Sequence, residues 1–522
     1  MIRGQSNSLE LLANQLYKKR VALILLSRAY LNRLASKIIR CNMATDVIPY
    51  KFDRSHIQVG IVHIGVGNFH RAHQAFYTNL LLATPSQQKW GICGIALLPS
   101  DEALIQKLRR QNGEYTLTVC GRNGHDEVYR IGALTELIWG IQMPGAVTDK
   151  IADQAVKIIT LTITEGGYNL DKASGTFMLE NERVKHDLTH PDEPTTVFGF
   201  VAEGLRKRKA AGHGGLTILS CDNLQHNGNT AKYAFMSFIE AQDPELAQWV
   251  RTNVTFPNSM VDRITPVTRP EDVAWLNEKS GIDDQAPVYC EDFIQWVIED
   301  NFIAGRPDWE PVGVEFTDDV TSYETMKLSL LNASHTLLSY PATLMGYRKV
   351  DKALQDERLV RLLRNFMDID ITPYVPAPGD TDLEQYKQTL IERFANPSVS
   401  DQLSRLCADG ISKFPVYILP NLGKMIHDGK DLTRMAFLLA AYRHYLRVKH
   451  DDDGVGYEIA EPWITSEDNE RIASDDPIDF LSMSAFTGIP LTTENRFSQL
   501  YTEFANRIKD EGVKTVLTSI LA

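Results

Sequence analysis

Residues 57–83 have the sequence IQVGIVHIGVGNFHRAHQAFYTNLLLA, in which an apolar run ends at closely spaced glycines and a helical pattern follows. The run predicts a buried β-strand, and the segment from Phe69 onward predicts an amphipathic helix. Small residues at such a junction let the backbone approach a pyrophosphate, whose charge a helix N-terminus favours. The candidate cofactor-binding residues are Gly65, Val66, Gly67, Asn68 and Phe69. Because His70 replaces the third glycine of the usual G-x-G-x-x-G, an ordinary strand-to-helix turn is the alternative.

A second strand is predicted at residues 90–98, WGICGIALL, and an acid follows it. Asp101 comes after Pro99 and Ser100 and before the helical pattern EALIQKLRRQ. An acid at this place can accept hydrogen bonds from the ribose of a bound dinucleotide. The alternative is that Asp101 caps the next helix.

Three further β-rich runs, at residues 115–120, 157–164 and 216–221, alternate with helical patterns. This alternation predicts a parallel sheet with crossover helices. Beyond about residue 318 the β pattern fades and helical periodicity continues, as at 386–396, 431–448 and 496–512. The predicted fold is therefore α/β, with an extension over 1–45, an α/β domain over 46–318 and a mainly helical domain over 319–522.

Two of the predicted strands run into loops with polar residues. The sequence SCDNL follows the strand at 216–221, and Asn223 would face the crevice in which ligands of parallel sheets collect. An ordinary turn built on Asp or Asn is the alternative. Thr164-Glu165-Gly166-Gly167-Tyr168 follows the strand at 157–164, and its paired glycines suit either a tight turn or close approach of the backbone to a cofactor.

Residues 324–335, ETMKLSLLNASH, place four polar side chains among leucines. On an α-helix, which turns by about 100° per residue, Glu324, Lys327, Asn332 and His335 share one face about 140° wide. Most lysines lie at the surface. A lysine buried among leucines instead has a lowered pKa and can act as a neutral base. The pattern therefore predicts a site that handles a proton.

Composition limits the class of protein. A chain of 522 residues is longer than one hydrophobic core usually supports, so two domains are expected. The net charge of −13 argues against nucleic acid and anionic membranes as partners. No apolar run reaches the length of a membrane span, about 18 residues. The six cysteines are scattered without a C-x-x-C pair, which is typical of reduced intracellular thiols and predicts no metal site.

The first 42 residues differ from the rest, since they contain eight lysines and arginines and a single acid, Glu10. An Arg-rich, acid-poor segment with leucines at helical spacing is one form of mitochondrial transit peptide. The alternative is an upstream start codon, with Met43 opening the working protein. We expect a cytoplasmic protein, with the mitochondrion as the alternative.

The order of the motifs points to a known family. The chain contains G-x-G-x-F-H-R-A-H-Q (65–74), TITEGGY (162–168), SCDNL (220–224), MVDRITP (260–266) and KLSLLNASH (327–335). In these it resembles the mannitol dehydrogenase family of polyol-specific long-chain dehydrogenases/reductases, from about residue 55 to the C-terminus. The segment 386–415 is most similar to the branch that oxidises mannitol at carbon 2. The resemblance implies a Rossmann-type NAD-binding domain, a monomer, and interconversion of D-mannitol and D-fructose.

The resemblance also implies roles for single residues. Lys327 would be the general base, and Asn223 and Asn332 would hydrogen-bond the reacting oxygen. His335 would orient the substrate, and Glu324 would relay the proton to solvent. Asp262, Arg405 and Lys413 would bind the other hydroxyls, and Glu165 would lie beside the nicotinamide. Asp101 favours NAD over NADP, although Ser100 replaces a second acid that some members have just before it.

Other functions share parts of this pattern. A fructuronate or tagaturonate reductase would use the same catalytic helix, and Arg405 and Lys413 could bind its carboxylate. D-arabinitol is a further possible substrate. From another class, the chain could be a catalytically silent sensor that only binds NAD. The set of Lys327, Asn332, His335 and Asn223 argues against that, because a pure binder needs no base.

Overall fold

The computed structural model describes residues 46–171, 174–379 and 381–522. The chain forms two compact units, of which one comprises residues 47–273 and 284–522 and contains every predicted site residue. The other comprises residues 1–46 and 274–283, of which the structure describes residues 46 and 274–283. The predicted extension over 1–45 lies outside the described residues.

Thirteen β-strands occur in the described ranges, all of them before residue 318. The strands are β1 (Val47–Ile48), β2 (Val59–Ile64), β3 (Gly91–Ala96), β4 (Tyr115–Cys120), β5 (Glu127–Ile131), β6 (Leu134–Trp139), β7 (Ile158–Leu161), β8 (Leu216–Ser220), β9 (Val254–Thr255), β10 (Ser259–Asp262), β11 (Val288–Glu291), β12 (Gln295–Glu299) and β13 (Glu315–Thr317).

The largest sheet has six parallel strands in the order β6-β3-β2-β7-β8-β9. Every residue of β2, β3, β7 and β8 is buried, as expected for parallel strands covered on both faces. The chain leaves β2 for β3 on one side and reaches β7 on the other. Such a reversal of strand order is where open α/β sheets bind their ligands, at the carboxyl ends of the strands.

The predicted place of residues 115–120 in the parallel sheet is wrong. They form β4, which belongs to a separate four-stranded sheet of order β1-β5-β4-β11. β4 pairs antiparallel with β5, with Leu117 opposite Tyr129, because the loop between them is too short for a crossover helix. A third sheet has the order β10-β12-β13.

Helices cover the sheets and form most of the chain after residue 318. Those of the first part are α1 (Asn68–Ala72), α2 (Gln74–Leu81), α3 (Glu102–Arg110), α4 (Pro144–Ala152), α5 (Glu182–Thr189), α6 (Val197–Ala210), α7 (Asn227–Gln242), α8 (Pro244–Asn253) and α9 (Pro270–Ser280). Those of the second part are α10 (Thr321–Met326), α11 (Ala333–Leu344), α12 (Val350–Ala353), α13 (Glu357–Asn365), α14 (Leu383–Phe394), α15 (Leu403–Cys407), α16 (Gly410–Lys413), α17 (Leu419–His427), α18 (Thr433–Val448), α19 (Ser466–Ala473), α20 (Pro477–Phe480), α21 (Asn495–Glu511) and α22 (Val513–Ile520).

The second part is built around α18, whose residues 434–443 are all buried. The helices predicted at 386–396, 431–448 and 496–512 correspond to α14, α18 and α21. This confirms the predicted fold, an α/β part of Rossmann type followed by a mainly helical part. Among the described helices, none combines the length and the apolar composition that crossing a membrane requires.

Candidate active site

The glycine turn after β2 lies at the reversal of strand order. Gly65 has φ +103°, and a Cβ atom there would lie 2.1 Å from the carbonyl oxygen of Thr162 at the end of β7. Thr162 also donates a hydrogen bond from Oγ1 to the carbonyl oxygen of Gly65, at 2.6 Å. Packing against β7 therefore requires glycine at position 65.

Gly67, in contrast to Gly65, has open space where a Cβ atom would lie. A Cβ atom there would have no atom nearer than the carbonyl oxygen of Gly65, at 3.9 Å. Protein packing thus leaves open space beside Gly67, at the N-terminus of α1, as a phosphate group would need. Asn68 accepts a hydrogen bond from Arg71, and Val66 is buried in the core, so that only its backbone could meet a ligand.

The single helix predicted from Phe69 onward is wrong, because the chain breaks at His73 into α1 and α2. His73 has φ −119° and ψ −87°, which is not helical. Its buried ring lies with Nε2 2.8 Å from the carbonyl oxygen of Gln295 in β12 and stacks on Phe69. The break thus coincides with a residue whose ring is held by contacts to another sheet.

Asp101 ends a short 3₁₀ helix, Pro99–Asp101, directly after β3. Its Oδ2 accepts a hydrogen bond from the N–H of Leu98, at 3.2 Å, and its side chain makes no capping bond to α3. Asp101 thus stands at the N-cap position of α3, as the alternative expects, but its carboxylate caps the preceding 3₁₀ helix and not α3. The carboxyl group is half-buried at the end of β3, beside β2.

The helix that carries Lys327 is interrupted by a π-helical turn. α10 ends at Met326, residues Lys327–Asn332 are π-helical, and α11 begins at Ala333. The N–H of Ala333 bonds to the carbonyl oxygen of Leu328, five residues back. The prediction that four polar residues share one face about 140° wide assumed a uniform α-helix, and the angles behind it are therefore wrong. π-Turns are rare and occur frequently at functional sites.

Lys327 is buried and its ammonium group meets two neutral acceptors. Nζ donates to Oδ1 of Asn223 and to the carbonyl oxygen of Val261, each at 2.6 Å. Burial lowers the pKa of Lys327, and the charge of Asp262 opposes this shift only in part. A lysine in this setting loses its proton more readily than a surface lysine, as a general base must.

Asn223 and Asn332 meet at Tyr417, a residue that the sequence did not indicate. Nδ2 of Asn223 donates to the Tyr417 hydroxyl oxygen at 3.2 Å. Burial and the carboxylate of Glu165 raise the pKa of Tyr417 to about 12, while hydrogen bonds from both asparagines act in the opposite direction. Oδ1 of Asn332 is buried without a partner among the described residues, so a ligand hydroxyl could satisfy it.

Glu324 lies one helical turn before Lys327. Both of its oxygens accept from the backbone N–H of His226, at 3.0 and 3.2 Å, and the His226 ring lies 3.5 Å away. Burial raises the pKa of Glu324 to about 7. A cavity of about 10 Å³, lined by residues that include Glu324 and Lys327, has room for about one water.

His335 stacks on Phe394 with ring centroids 4.1 Å apart. Burial lowers the pKa of His335 strongly, and the charges of Arg405, Arg393 and Lys413 lower it further. The imidazole is therefore neutral. Arg405 bonds to Asp401 on the adjoining loop before α15, and Lys413 donates to the carbonyl oxygen of Leu406 at 2.9 Å. The structure thus places both predicted cations near His335.

Asp262 ends β10 and is engaged by Arg393, which was not among the predicted site residues. Arg393 donates to the two oxygens of Asp262 at 2.9 and 2.8 Å, and to Glu291 of β11 at 2.8 Å. All three side chains are buried. A signal was present in the sequence, because Arg393 stands at helical spacing from Tyr386 and Leu390 on the apolar face of α14.

Two family models match this chain: the mannitol dehydrogenase Rossmann domain over residues 59–311 and the mannitol dehydrogenase C-terminal domain over residues 319–508. The polyol:NADP oxidoreductase of Gluconobacter oxydans (strain 621H) is 41% identical over 471 residues, 90% of this chain and 96% of that protein. A mannitol 2-dehydrogenase of Aspergillus fumigatus is 36% identical over 493 residues, 93% and 98% of the two chains.

Solved structures of polyol dehydrogenases are also similar to this chain. The ternary complex of Pseudomonas fluorescens mannitol 2-dehydrogenase with NAD and D-mannitol superposes with a TM-score of 0.83 at 41% identity, covering 91% of this chain and 97% of that one. A substrate-free D-sorbitol dehydrogenase also has a TM-score of 0.83, at 40% identity, covering 91% and 100%. The similarity extends over both parts of the molecule.

Proposed function

The chain belongs to the mannitol dehydrogenase family, and on that premise we propose that it is an NAD-dependent polyol dehydrogenase that interconverts D-mannitol and D-fructose. The observation that carries the proposal is Lys327, a buried lysine bonded to the amide oxygen of Asn223 and to a carbonyl oxygen. A base in these surroundings, near a glycine turn that leaves open space for a phosphate, suits oxidation of an alcohol.

NAD fits the residues at the reversal of strand order. Gly65 lets the turn pack against β7, Gly67 leaves room for a pyrophosphate, and Asp101 after β3 can accept bonds from the adenosine ribose. NAD bound there would supply the hydride acceptor for oxidation at carbon 2 of the polyol, and NADH the hydride donor for reduction of the ketose. The Gluconobacter relative is named for NADP. The carboxylate of Asp101 favours NAD here, because it would repel a 2′-phosphate.

In this mechanism Lys327 accepts the proton of the 2-hydroxyl group. The amides of Asn223 and Asn332 stabilise the negative charge that develops on the oxygen, and removal of one such donor costs on the order of 3 kcal/mol. The proton then passes through the small cavity to Glu324, whose raised pKa suits a relay, and on to solvent. In the reverse direction the Lys327 ammonium acts as the acid.

The remaining predicted residues would hold the rest of the sugar. Asp262 can accept from a hydroxyl while bonded to Arg393, because a carboxylate offers about four lone-pair sites. The neutral His335 can both donate and accept. Arg405 and Lys413, which lie near it, supply further donors.

The test follows NADH absorbance with D-fructose, D-fructuronate and D-tagaturonate in parallel, and NAD reduction with D-mannitol and D-arabinitol. We expect D-fructose and D-mannitol to give the highest kcat/KM. Faster turnover of a uronate would identify a hexuronate reductase, the alternative whose substrate carboxylate Arg405 and Lys413 could equally bind. Binding of NADH without turnover of any substrate would identify a silent sensor.

Three further features stay predictions of this proposal. The boundary between domains lies at residues 318 and 319, between the two matched family models. The protein acts as a monomer and is located in the cytoplasm. Size-exclusion chromatography with light scattering checks the assembly, and N-terminal sequencing of protein isolated from its source shows whether residues 1–42 are retained.

A further inference from the structure

A strained residue lies at the edge of the sheet where the cofactor is proposed to bind. Thr164 has φ +63° and ψ 168°, a backbone conformation that is essentially restricted to glycine. Its branched Cβ makes the conformation still less favourable. Such strain persists only where surrounding contacts impose it, and it occurs often at functional sites.

Asp222, which follows β8, imposes this conformation. Its Oδ2 accepts from the N–H of Ile163 at 3.2 Å, and its Oδ1 accepts from the N–H of Thr164 at 2.8 Å. The hydroxyl of Tyr168 donates to Oδ2 at 2.7 Å, so the carboxylate binds both ends of the turn over residues 163–168. Burial raises the pKa of Asp222 to about 6, which shows that the charged form is costly at this place.

The turn lies between the glycine turn and Lys327. β7, which leads into it, pairs with β2, and Thr162 contacts Gly65. A Cβ atom at Gly166 would have no atom within 4 Å, so this backbone faces open space as Gly67 does. The charge of Glu165, within the turn, acts on Lys327, so the turn also lies near the base.

We infer that Asp222 is a positioning residue, which holds the turn over residues 163–168 in a strained conformation that a bound dinucleotide requires. The inference rests on the proposed function, since it concerns the NAD site. An ordinary surface turn needs neither a buried carboxylate nor a threonine in a conformation suited to glycine. Asp222 also adjoins Asn223, so the same loop shapes the cofactor wall and binds the catalytic lysine.

The experiment measures the Kd of NADH by fluorescence titration for the wild type, Asp222→Asn, Thr164→Gly and the double variant. In Asp222→Asn the new amide side chain would offer one oxygen to two N–H groups, so Thr164 would relax and the Kd should rise at least tenfold. Glycine adopts the strained conformation without help. The double variant should therefore bind NADH within about threefold of Thr164→Gly.

Asp187→Asn is the matched control. Asp187 is also buried and accepts from two consecutive N–H groups, those of Thr195 and Thr196, at 2.9 and 2.7 Å. Its substitution should lower the Tm and leave the Kd of NADH unchanged. An unchanged Kd in Asp222→Asn, or a loss that Thr164→Gly does not rescue, would overturn the inference.

Thr164→Gly alone keeps the test decisive if Asp222→Asn fails to fold. Release of strain should raise the Tm of this variant, and a lowered Tm would contradict the inference. The readout is binding of NADH, not turnover of a sugar. A wild type that binds NADH but does not reduce D-fructose would count against the proposed substrate alone.

Discussion

Two buried cations lie close together in this molecule and have opposite surroundings. Lys327 is bonded to an amide oxygen and a carbonyl oxygen, both neutral. Arg393 is bonded to two carboxylates, those of Asp262 and Glu291. Burial alone would lower the pKa of both cations. At Arg393 the two carboxylates reverse that effect and raise the pKa, whereas at Lys327 burial prevails.

The difference teaches that burial does not by itself make a catalytic base. A buried cation with carboxylate partners keeps its charge and joins elements together, and removing it leaves unpaired anions. A buried cation with neutral partners can lose its proton, and removing it leaves only neutral acceptors. Lys327 should therefore matter mostly for activity and Arg393 mostly for stability.

Lys327→Met should give the largest effect on activity. General-base catalysis contributes about 10² to 10⁴ in rate. We expect kcat for mannitol oxidation to fall by at least about 10²-fold, while the Kd of NADH stays near that of the wild type. The free energy of unfolding should change by about 1 kcal/mol or less, because the lost hydrogen bonds and the relieved desolvation partly offset each other. Stopped-flow absorbance measures kcat, fluorescence titration measures the Kd of NADH, and urea unfolding measures the free energy of unfolding.

Lys387→Met is the control for that comparison. Lys387 is also buried, but it is ion-paired with Asp368 and Glu384 on the helical part of the molecule. Its loss should leave kcat unchanged. Mannitol oxidation by Lys327→Met at more than a tenth of the wild-type rate would contradict the role of Lys327 as base.

Arg393→Met should give the largest effect on stability. Removing one partner of a buried ion cluster typically costs about 3–5 kcal/mol. Arg393 joins α14 to β10 and β11, so both ends of this connection should loosen. Thermal and urea unfolding measure the loss. Adding Glu291→Gln to Arg393→Met should recover part of the lost stability, because one unpaired anion is removed. A double variant no more stable than Arg393→Met would contradict this account.

Glu324→Gln should change the pH dependence. Burial raises the pKa of Glu324 from its ordinary value of 4.5 to about 7 in the folded protein. Ionisation is therefore harder when folded, and this residue's contribution to stability is present below pH 4.5 and is lost as the pH rises through about 7. The variant should lose that part of the slope of stability against pH, measured by urea unfolding from pH 4.5 to 8.

The same substitution tests the relay. A relay that accepts the proton must be ionised, so the kcat of mannitol oxidation by the wild type should rise through about pH 7. In Glu324→Gln this rise should disappear. The glutamine can still accept from the N–H of His226, which keeps the local structure intact. An identical pH profile in the two proteins would show that the proton leaves by another route.

Asp101→Ala should give the smallest effect. The half-buried Asp101 makes no contact with either buried cation, and its charge acts only on the ribose end of the cofactor. We expect the ratio of kcat/KM for NAD to that for NADP to fall by about tenfold, which corresponds to about 1.4 kcal/mol. An unchanged ratio would mean that another residue selects the cofactor.

Much of the fold could be predicted from local pattern. The buried strand before Gly65, the alternation of strands and helices, and the helical periodicity after residue 318 follow from short-range rules. Residues 115–120 were misplaced because an apolar run does not reveal its pairing partner. The break at His73 was not visible in the helical pattern, and the ring of His73 contacts Gln295, which is more than two hundred positions away in the chain.

The candidate site was predicted unevenly for the same reason. Lys327 and its helical neighbours are close in sequence, so their shared surroundings were visible as a pattern. The partners Arg393 and Tyr417 come from other helices, and their contacts depend on tertiary packing. The strain at Thr164 could not be predicted at all, because it arises from Asp222, which lies on another strand end.

The π-turn at Lys327–Asn332 has a consequence for how such chains diverge. A π-turn contains one residue more than the α-helical turn it replaces, so deletion of a single leucine within it would let an ordinary helix close. Asn332 and His335 would then keep nearly the same direction around the helix axis relative to Lys327, because the wider turn absorbs the additional residue. A relative with one residue fewer between Lys327 and Asn332 could therefore hold the same side chains on one face of an ordinary helix, and an alignment gap placed there would not by itself mean that the site is lost.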